Sequence, residues 1–296
     1  MTRRAITLLV VALTCCVVIA RPAEAFTARD MAGREVTLSA PPKRIVSLVP
    51  SVTEILYALG AERRLVGVTD FCDFPPAART QPKVGGMVAP SLEAIVALKP
   101  DLVIATAEGT REDTVTQLRR LKVPVYLVAA HQVADATSLI RRLGELTASE
   151  SSAGPLVARL ERRIEAVKHA VGPHARPRVL YVLWPEPLIV PGRGALVTEL
   201  IQIAGGQSLT ADDPDAWPRY SLEAAVARSP EVILLANHGA GTGAVEVEKW
   251  RRLASLPAVR SGRLLSVNGD LMHRYGPRFV DGLEQLARAI HPEAFR

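Results

Sequence analysis

The sequence predicts an α/β protein built from two similar lobes bridged by one long α-helix. Three observations carry that expectation. The stretch Ser91–Ile104, SLEAIVALKPDLVI, returns 130 residues later as Ser221–Leu234, SLEAAVARSPEVIL, with seven of fourteen positions identical. A helix-then-strand unit repeated over half the chain marks an internal duplication. Strand-like and helix-like segments alternate through both halves, the order that builds a parallel sheet flanked by helices. Between the halves, Ser151–Val171 sets Leu156, Leu160, Ile164 and Val167 on one helical face and covers much of the rest with charge.

The N-terminus reads as an export signal. Arg3 and Arg4 precede a 16-residue apolar run, Ala5–Ala20, and Ala23–Ala25 has the small-x-small pattern of a cleavage site. The run is shorter than the ~20 residues of a spanning helix. Cys15 and Cys16 are followed by more apolar residues, whereas a lipid-modified cysteine would close the run. The expected product is therefore a soluble, exported chain starting near Phe26, after cleavage near Ala25. Cleavage removes three arginines and one glutamate, taking the net charge from +6 to +4 with no block of like charge. A nucleic-acid partner is therefore not indicated. Only Cys72 remains of three cysteines, so no intrachain disulfide forms. The remaining ~270 residues exceed the size at which one core stays economical.

Residues 26–149 are expected as the first lobe, 150–173 as the bridging helix and 174–296 as the second lobe. Asp30–Gly33 is a turn and Glu35–Leu38 alternates, so residues 26–43 open as a hairpin. Ile45–Val49 is a buried strand that stops at Pro50-Ser51; Val52–Leu59 is a helix closed by Gly60; Leu65–Thr69 is a second strand before the irregular loop 70–81. Ser91 starts the first repeated helix and Leu102–Ala105 is its strand. Val115–Leu121, Val125–Val128 and Val133–Leu146 continue the alternation. The second lobe reads as strand Arg178–Leu183, a proline-rich loop at Trp184–Pro187, helix Gly194–Ala204, the repeated unit, a glycine-rich loop at 237–243, helix Val245–Leu253, strand Leu264–Val267, a polar loop at 268–276 and a last helix, Pro277–Ile290.

Ligands of open parallel sheets approach the loops beyond the strands' carboxyl ends. Aromatics are only 4% of the chain, yet Phe71, Phe74, Trp184, Trp217, Tyr220 and Tyr275 all fall on such loops. Flat apolar walls on otherwise polar loops suggest a pocket for a large apolar ligand. Catalytic patterns are thin: there is no P-loop and no Gly-x-Ser-x-Gly elbow, and Gly192 and Gly194 lack the third glycine of a dinucleotide fingerprint. The lone Cys72 reads as a packed residue. The six histidines show no metal-ligand spacing, although His131, His238 and His273 could converge with an aspartate; no metal is expected. Glu93 and Glu223 each lie two residues after a candidate capping serine. Read from the residues alone, they are either helix N-terminal charges or one exposed dock on each lobe.

The segments RIVSLVPSVTEILYALG, VGVTDFCDFPP, VGGMVAPSLEAIVALKPDLVIA, GRGALVTELIQIAGG, AWPRYSLEAAVARSPEVILLA and DLMHRYGPRF together cover nearly all of the exported chain. They resemble the periplasmic cobalamin-binding proteins of ABC importers. The resemblance implies two Rossmann-like lobes on a helical backbone, no catalytic activity and no cofactor. It also implies a cobalamin or other corrinoid ligand and a two-subunit membrane permease as partner, with no nucleic acid and a monomeric receptor. It assigns Pro50, Ser51, Phe71, Met87, Trp184, Trp217, Asp270, His273 and Arg274 to the ligand, and Glu93 and Glu223 to docking. Met87 departs from the pattern, since the family can carry tryptophan there. Haem or ferric-siderophore binding is the alternative within the class. Haem-binding cousins tend to carry a ligating tyrosine where this chain has Gly85-Gly86-Met87.

Overall fold

The computed structural model describes residues 26–237 and 243–296. The export signal expected over residues 1–25 and the candidate ligand His238 lie outside the described residues. The chain opens with an antiparallel hairpin, β1 (Phe26–Arg29) and β2 (Glu35–Leu38). Asp30 closes its turn, its carboxylate accepting from the Arg34 N–H at 2.7 Å.

The first lobe then runs β3 (Ile45–Ser47), α1 (Pro50–Ala58), β4 (Leu65–Val68), α2 (Leu92–Ala97), β5 (Leu102–Thr106), α3 (Glu112–Arg120), β6 (Val125–Val128) and α4 (Val133–Leu146). Its strands form one parallel sheet in the order β4-β3-β5-β6. A 22-residue helix, α5 (Glu150–Val171), leads out of it. The second lobe comprises β7 (Arg178–Val182), β8 (Trp184–Pro185), β9 (Leu188–Ile189), α6 (Leu196–Ile203), β10 (Gln207–Ser208), α7 (Leu222–Ala227), β11 (Val232–Asn237), α8 (Gly243–Arg251), α9 (Pro257–Arg260), β12 (Leu264–Asn268), α10 (Gly269–His273) and α11 (Phe279–Ile290). Its parallel sheet is ordered β10-β7-β11-β12. Each sheet places its second strand at the edge, then its first, third and fourth, so the duplicated sequence repeats a topology as well as a motif.

The alternating residues of each sheet divide between two cores. Val46, Val103 and Val125 pack outward under α2 and α3, and Leu180, Ile233 and Leu235 pack outward under α7 and α8. The opposite faces share a third core. Ile104 and Tyr126 of one sheet, Leu156 and Leu160 of α5, and Tyr181 and Leu234 of the other all belong to it. The bridging helix is therefore a core element and not a surface rod. Opening the lobes about it would expose apolar area at about 25 cal/mol per Å², which makes a wide hinge motion unfavourable.

Four local expectations are corrected. Pro50 and Ser51 form the first turn of α1 and not a loop, because Pro50 sits at a position where its missing N–H costs nothing. The proline-rich loop after β7 folds as the β8–β9 hairpin. Asp270 and His273 lie on α10, whose cap is the Asn268 side chain accepting from the Asp270 N–H at 3.0 Å. The edge strand β10 and the short α9 were not expected; elements of two and four residues are too short to show a period.

Charge also ties α5 to α11. Arg163 donates to Asp281 at 2.6 Å and to Glu284 at 2.8 Å. The hydrogen bond from Arg163 holds the Glu284 carboxyl below its ordinary 4.5, against the opposing effect of partial burial. A carboxyl depressed in the folded state contributes stability above its unfolded pKa and loses it as pH falls through the folded value. The urea midpoint is expected to drop as pH falls below about 4.5, and the drop should shrink in Arg163→Ala.

Candidate functional site

The carboxyl ends of the two sheets meet across the molecule. On the first lobe, the turn after β4 presents Phe71, 58% exposed, above Cys72, which is buried between the Thr53 and Thr69 hydroxyls at 3.2 Å each. Asp70 N–H donates to the Gly85 carbonyl at 3.0 Å, and Gly85 takes φ +89°, so the chain turns back under Phe71. That turn brings Gly86 beside the Phe71 ring and leaves Met87 half-buried near Gly109.

On the second lobe the two exposed tryptophans ride on one backbone platform, while Trp250 is buried in the core under α8. Trp184 belongs to the β8–β9 hairpin, which is stitched to the Trp217 segment by Val190 N–H to Pro218 O at 3.2 Å and Tyr220 N–H to Leu188 O at 2.9 Å. Gly192 donates to Ala216 O at 2.9 Å, and a side chain there would collide with the Asp215 carbonyl, so the close approach requires glycine. Trp184 and Trp217 remain 47% and 40% exposed. Trp217 meets His273 edge-on at 5.5 Å, and His273 Nε2 lies 3.0 Å from the Tyr181 hydroxyl. Burial pushes the Tyr181 phenol well above its ordinary value, which keeps it protonated.

Between the aromatics lies an ion cluster that the sequence reading missed. Glu54, on α1 and 2% exposed, accepts from Arg278 Nε at 2.9 Å and Nη2 at 2.6 Å, and lies 3.4 Å from Arg274. Arg274 also donates to Asp73 at 2.6 Å and approaches Asp270 at 3.6 Å. Partial burial works against the Asp73 charge, but hydrogen bonding and attraction from Arg274 outweigh it and hold the carboxyl low. Arg278 lies over the Phe74 ring at 3.7 Å. A side chain on Gly276 would fall 2.9 Å from Glu54, so the loop packs onto the carboxylate through a bare backbone. A second crossing runs from the Val133 N–H to Glu199 at 2.7 Å. Tyr275 sits near it; burial first, then the charges of Glu108, Asp135 and Glu199, push its phenol up to about 12.

Phe71, Met87 and Trp217 thus sit on strand-end loops, Trp184 on the β8–β9 hairpin, and Asp270 and His273 on α10 with Arg274 just after it. Pro50 and Ser51, in the first turn of α1, are buried. Glu93 and Glu223 occupy the same position on α2 and α7. The preceding serine hydroxyl caps each helix at 3.1 Å, and both carboxylates are exposed. Glu223 is held below its ordinary value by its own backbone N–H and by Ser221. Among the described residues, His131 and His273 do not converge on a carboxylate: His131 pairs with Glu108 at 2.8 Å while His273 is on the other lobe.

Residues 45–271 match the family model described as periplasmic binding protein. The chain is 30% identical to an uncharacterized ABC transporter substrate-binding lipoprotein, YvrC of Bacillus subtilis, over 91% of this chain and 87% of that protein. Two solved structures superpose with a TM-score of 0.76. One is the periplasmic vitamin B12 binding protein BtuF of Vibrio cholerae, 27% identical over 86% of this chain and 99% of that one. The other is the periplasmic heme-binding protein RhuT of Roseiflexus sp. RS-1, 28% identical over 85% and 99%.

Proposed function

Because this chain belongs to the periplasmic binding protein family, we propose that it is the receptor of an ABC importer, exported after cleavage near Ala25, that captures a corrinoid between its lobes and hands it to a two-subunit permease. It performs no chemistry on its cargo. The observation that carries this reading is the exposed set Phe71, Trp184 and Trp217 on the strand-end loops of both lobes. Each ring has roughly 100 Å² left to cover, worth about 2–3 kcal/mol at ~25 cal/mol per Å². Three rings supply about 7–8 kcal/mol of the ~12 that nanomolar binding needs, so Met87 and polar contacts must add the remainder.

The haem and siderophore alternatives fit less well. Axial ligation of iron through His273 Nε2 would break its hydrogen bond to Tyr181, and where haem-binding cousins tend to carry a ligating tyrosine this chain has Gly85-Gly86-Met87. An anionic siderophore needs guanidinium charge to spare: Arg274 and Arg278 are matched by Glu54, Asp73 and Asp270, and Arg193 donates to the Asp212 carbonyl, which leaves the exposed Arg219. Among the described residues no helix is long and apolar enough to cross a membrane, which agrees with a receptor that meets its permease from outside.

Cyanocobalamin is expected to quench tryptophan fluorescence and raise the melting temperature, while haemin does neither. Trp217→Ala should weaken corrinoid binding about 30–140-fold, the equivalent of about 2–3 kcal/mol. A haemin Soret shift without any cobalamin response would replace the corrinoid by haem.

A further inference from the structure

At the opposite end of the second lobe, before the strands begin, three helix C-termini converge. They belong to α5, which ends at Val171, to α6, which ends at Ile203, and to α11, which ends at Ile290. Helix C-termini carry partial negative charge and favour a cation. Immediately beyond them stand His174, His291 and Glu293, whose ligand-capable atoms all lie within 4.8 Å of one another. Glu293 Oε1 is 2.9 Å from His291 Nδ1 and 3.7 Å from His174 Nδ1. The two imidazoles stack at 5.5 Å with 29° between their planes.

The seat of His291 is specific. Its side chain is 2% exposed, and its Nε2 lies 3.2 Å from the Gly205 carbonyl. Gly205 takes φ +81°, and a Cβ there would press into the ring at 2.7 Å, so the chain supplies the one residue that lets the ring in. The Gly205 carbonyl can only accept, so Nε2 carries a proton and Nδ1 is the nitrogen that faces Glu293; it donates to that carboxylate when protonated and offers its lone pair to a metal when that proton is lost. A backbone carbonyl on the far nitrogen is the arrangement that fixes the tautomer and orientation of a metal-bound histidine.

We propose that His174, His291 and Glu293 form a divalent transition-metal site of the zinc class, which ties the C-terminus of the chain to the end of the bridging helix. Metal–nitrogen and metal–oxygen bonds of about 2.0–2.2 Å in tetrahedral geometry set ligand atoms roughly 3.3 Å apart. The 2.9 and 3.7 Å separations bracket that value. Two imidazoles and one carboxylate suit zinc, nickel or copper and not calcium or magnesium, which take oxygen ligands. A groove of about 760 Å³, lined by His174, Gly205 and Lys168, opens on the His174 side of the cluster. The nearby cations are engaged elsewhere: Lys168 with Glu165 at 2.7 Å, and Arg176 with the Gln202 and Gly206 carbonyls.

The site stands apart from the aromatic loops, so its test is independent of the cargo. The full chain, stripped with a chelator, would be titrated with zinc chloride at pH 7.5 by calorimetry, followed by thermal melting and far-UV circular dichroism. One zinc per chain is expected, with the melting temperature raised by about 5 °C at a hundredfold excess over Kd. Binding should weaken at least tenfold in His174→Ala and in Glu293→Gln, both partly exposed and thus expected to fold. It should also fade as pH falls below about 6, when imidazole nitrogens protonate. Cobalt(II) in place of zinc should give visible d–d absorption that the same variants lose. Absence of zinc heat at micromolar protein overturns the proposal. So does zinc binding that persists unchanged in both variants, or a melting temperature that follows pH alone, which would mark an imidazolium–carboxylate pair.

Discussion

Glu54→Ala is expected to lower folding stability by about 3–5 kcal/mol, the penalty for removing one member of a buried ion cluster and stranding its partners. Glu54 is the only carboxylate of this cluster shielded to 2% exposure, and it accepts both guanidinium hydrogens that Arg278 directs at it. Arg274 and Arg278 are themselves only 18% and 21% exposed, so water cannot replace the lost acceptor cheaply. For a chain of this size the melting temperature should fall by on the order of 10 °C. Glu54→Gln keeps the shape and one acceptor and should lose less. Asp73→Asn, at a 43% exposed carboxylate, should lose about 1 kcal/mol or less because solvent screens it. A Glu54→Ala chain within 1 kcal/mol of the wild type would mean that the cluster does not hold the lobes. The consequence reaches the cargo as well: the cluster spans the floor between Phe71 and Trp217, so loosening it raises the ordering cost of closing both aromatic walls on a ligand.

Much of the scaffold was legible because its signals are local. Ser91 and Ser221 announced their helices by chemistry that operates three residues away, and both cap as expected. The apolar stripe Leu156–Leu160–Ile164–Val167 revealed α5 within a residue of its ends. The order of strands and helices implied the parallel sheets. What escaped depends on distance along the chain. Glu54 stands within an apolar helical pattern, and its partners Arg274 and Arg278 are 220 and 224 residues away. No period or spacing encodes such a pairing; the only local hint is a charge on a face that must be buried, which demands a counter-charge from somewhere. The histidine cluster is hidden for the same reason, since only the packing of α11 against α5 and α6 brings His291 to His174. Asp270 and His273 were placed on a loop because a five-residue helix has too few turns for a periodic signal. The aromatic loops were legible through scarcity, a compositional signal that survives without knowledge of contacts.

The double variant Glu93→Ala, Glu223→Ala is expected to abolish delivery to the permease while leaving corrinoid affinity unchanged. Two accounts of these residues make different numerical demands. If they serve only their helix N-termini, each contributes about 0.3–1 kcal/mol to stability, and the double variant melts slightly earlier but transports normally. If they dock, each meets an arginine on the permease in a charge-assisted pair worth about 1.5–3 kcal/mol. Losing both then weakens docking about 10²–10⁴-fold. The docking account needs both carboxylates open to a partner, and both face solvent on six-residue helices that serine already caps. Glu223 also accepts from its own backbone N–H and from Ser221, so a share of its role belongs to the helix end. The duplication sets them at equivalent points on the two lobes, and the shared core that contains α5 fixes the distance between them. A rigid span between two charges is what a two-subunit partner can measure: a receptor with one carboxylate satisfied and the other misplaced gains half the energy and no register. Uptake of labelled cyanocobalamin in cells carrying the variant receptor separates the accounts, with calorimetric affinity as the companion measurement. Each single variant should retain partial uptake. Full uptake by the double variant would return both residues to helix capping, and a tenfold loss of ligand affinity would move them into the pocket.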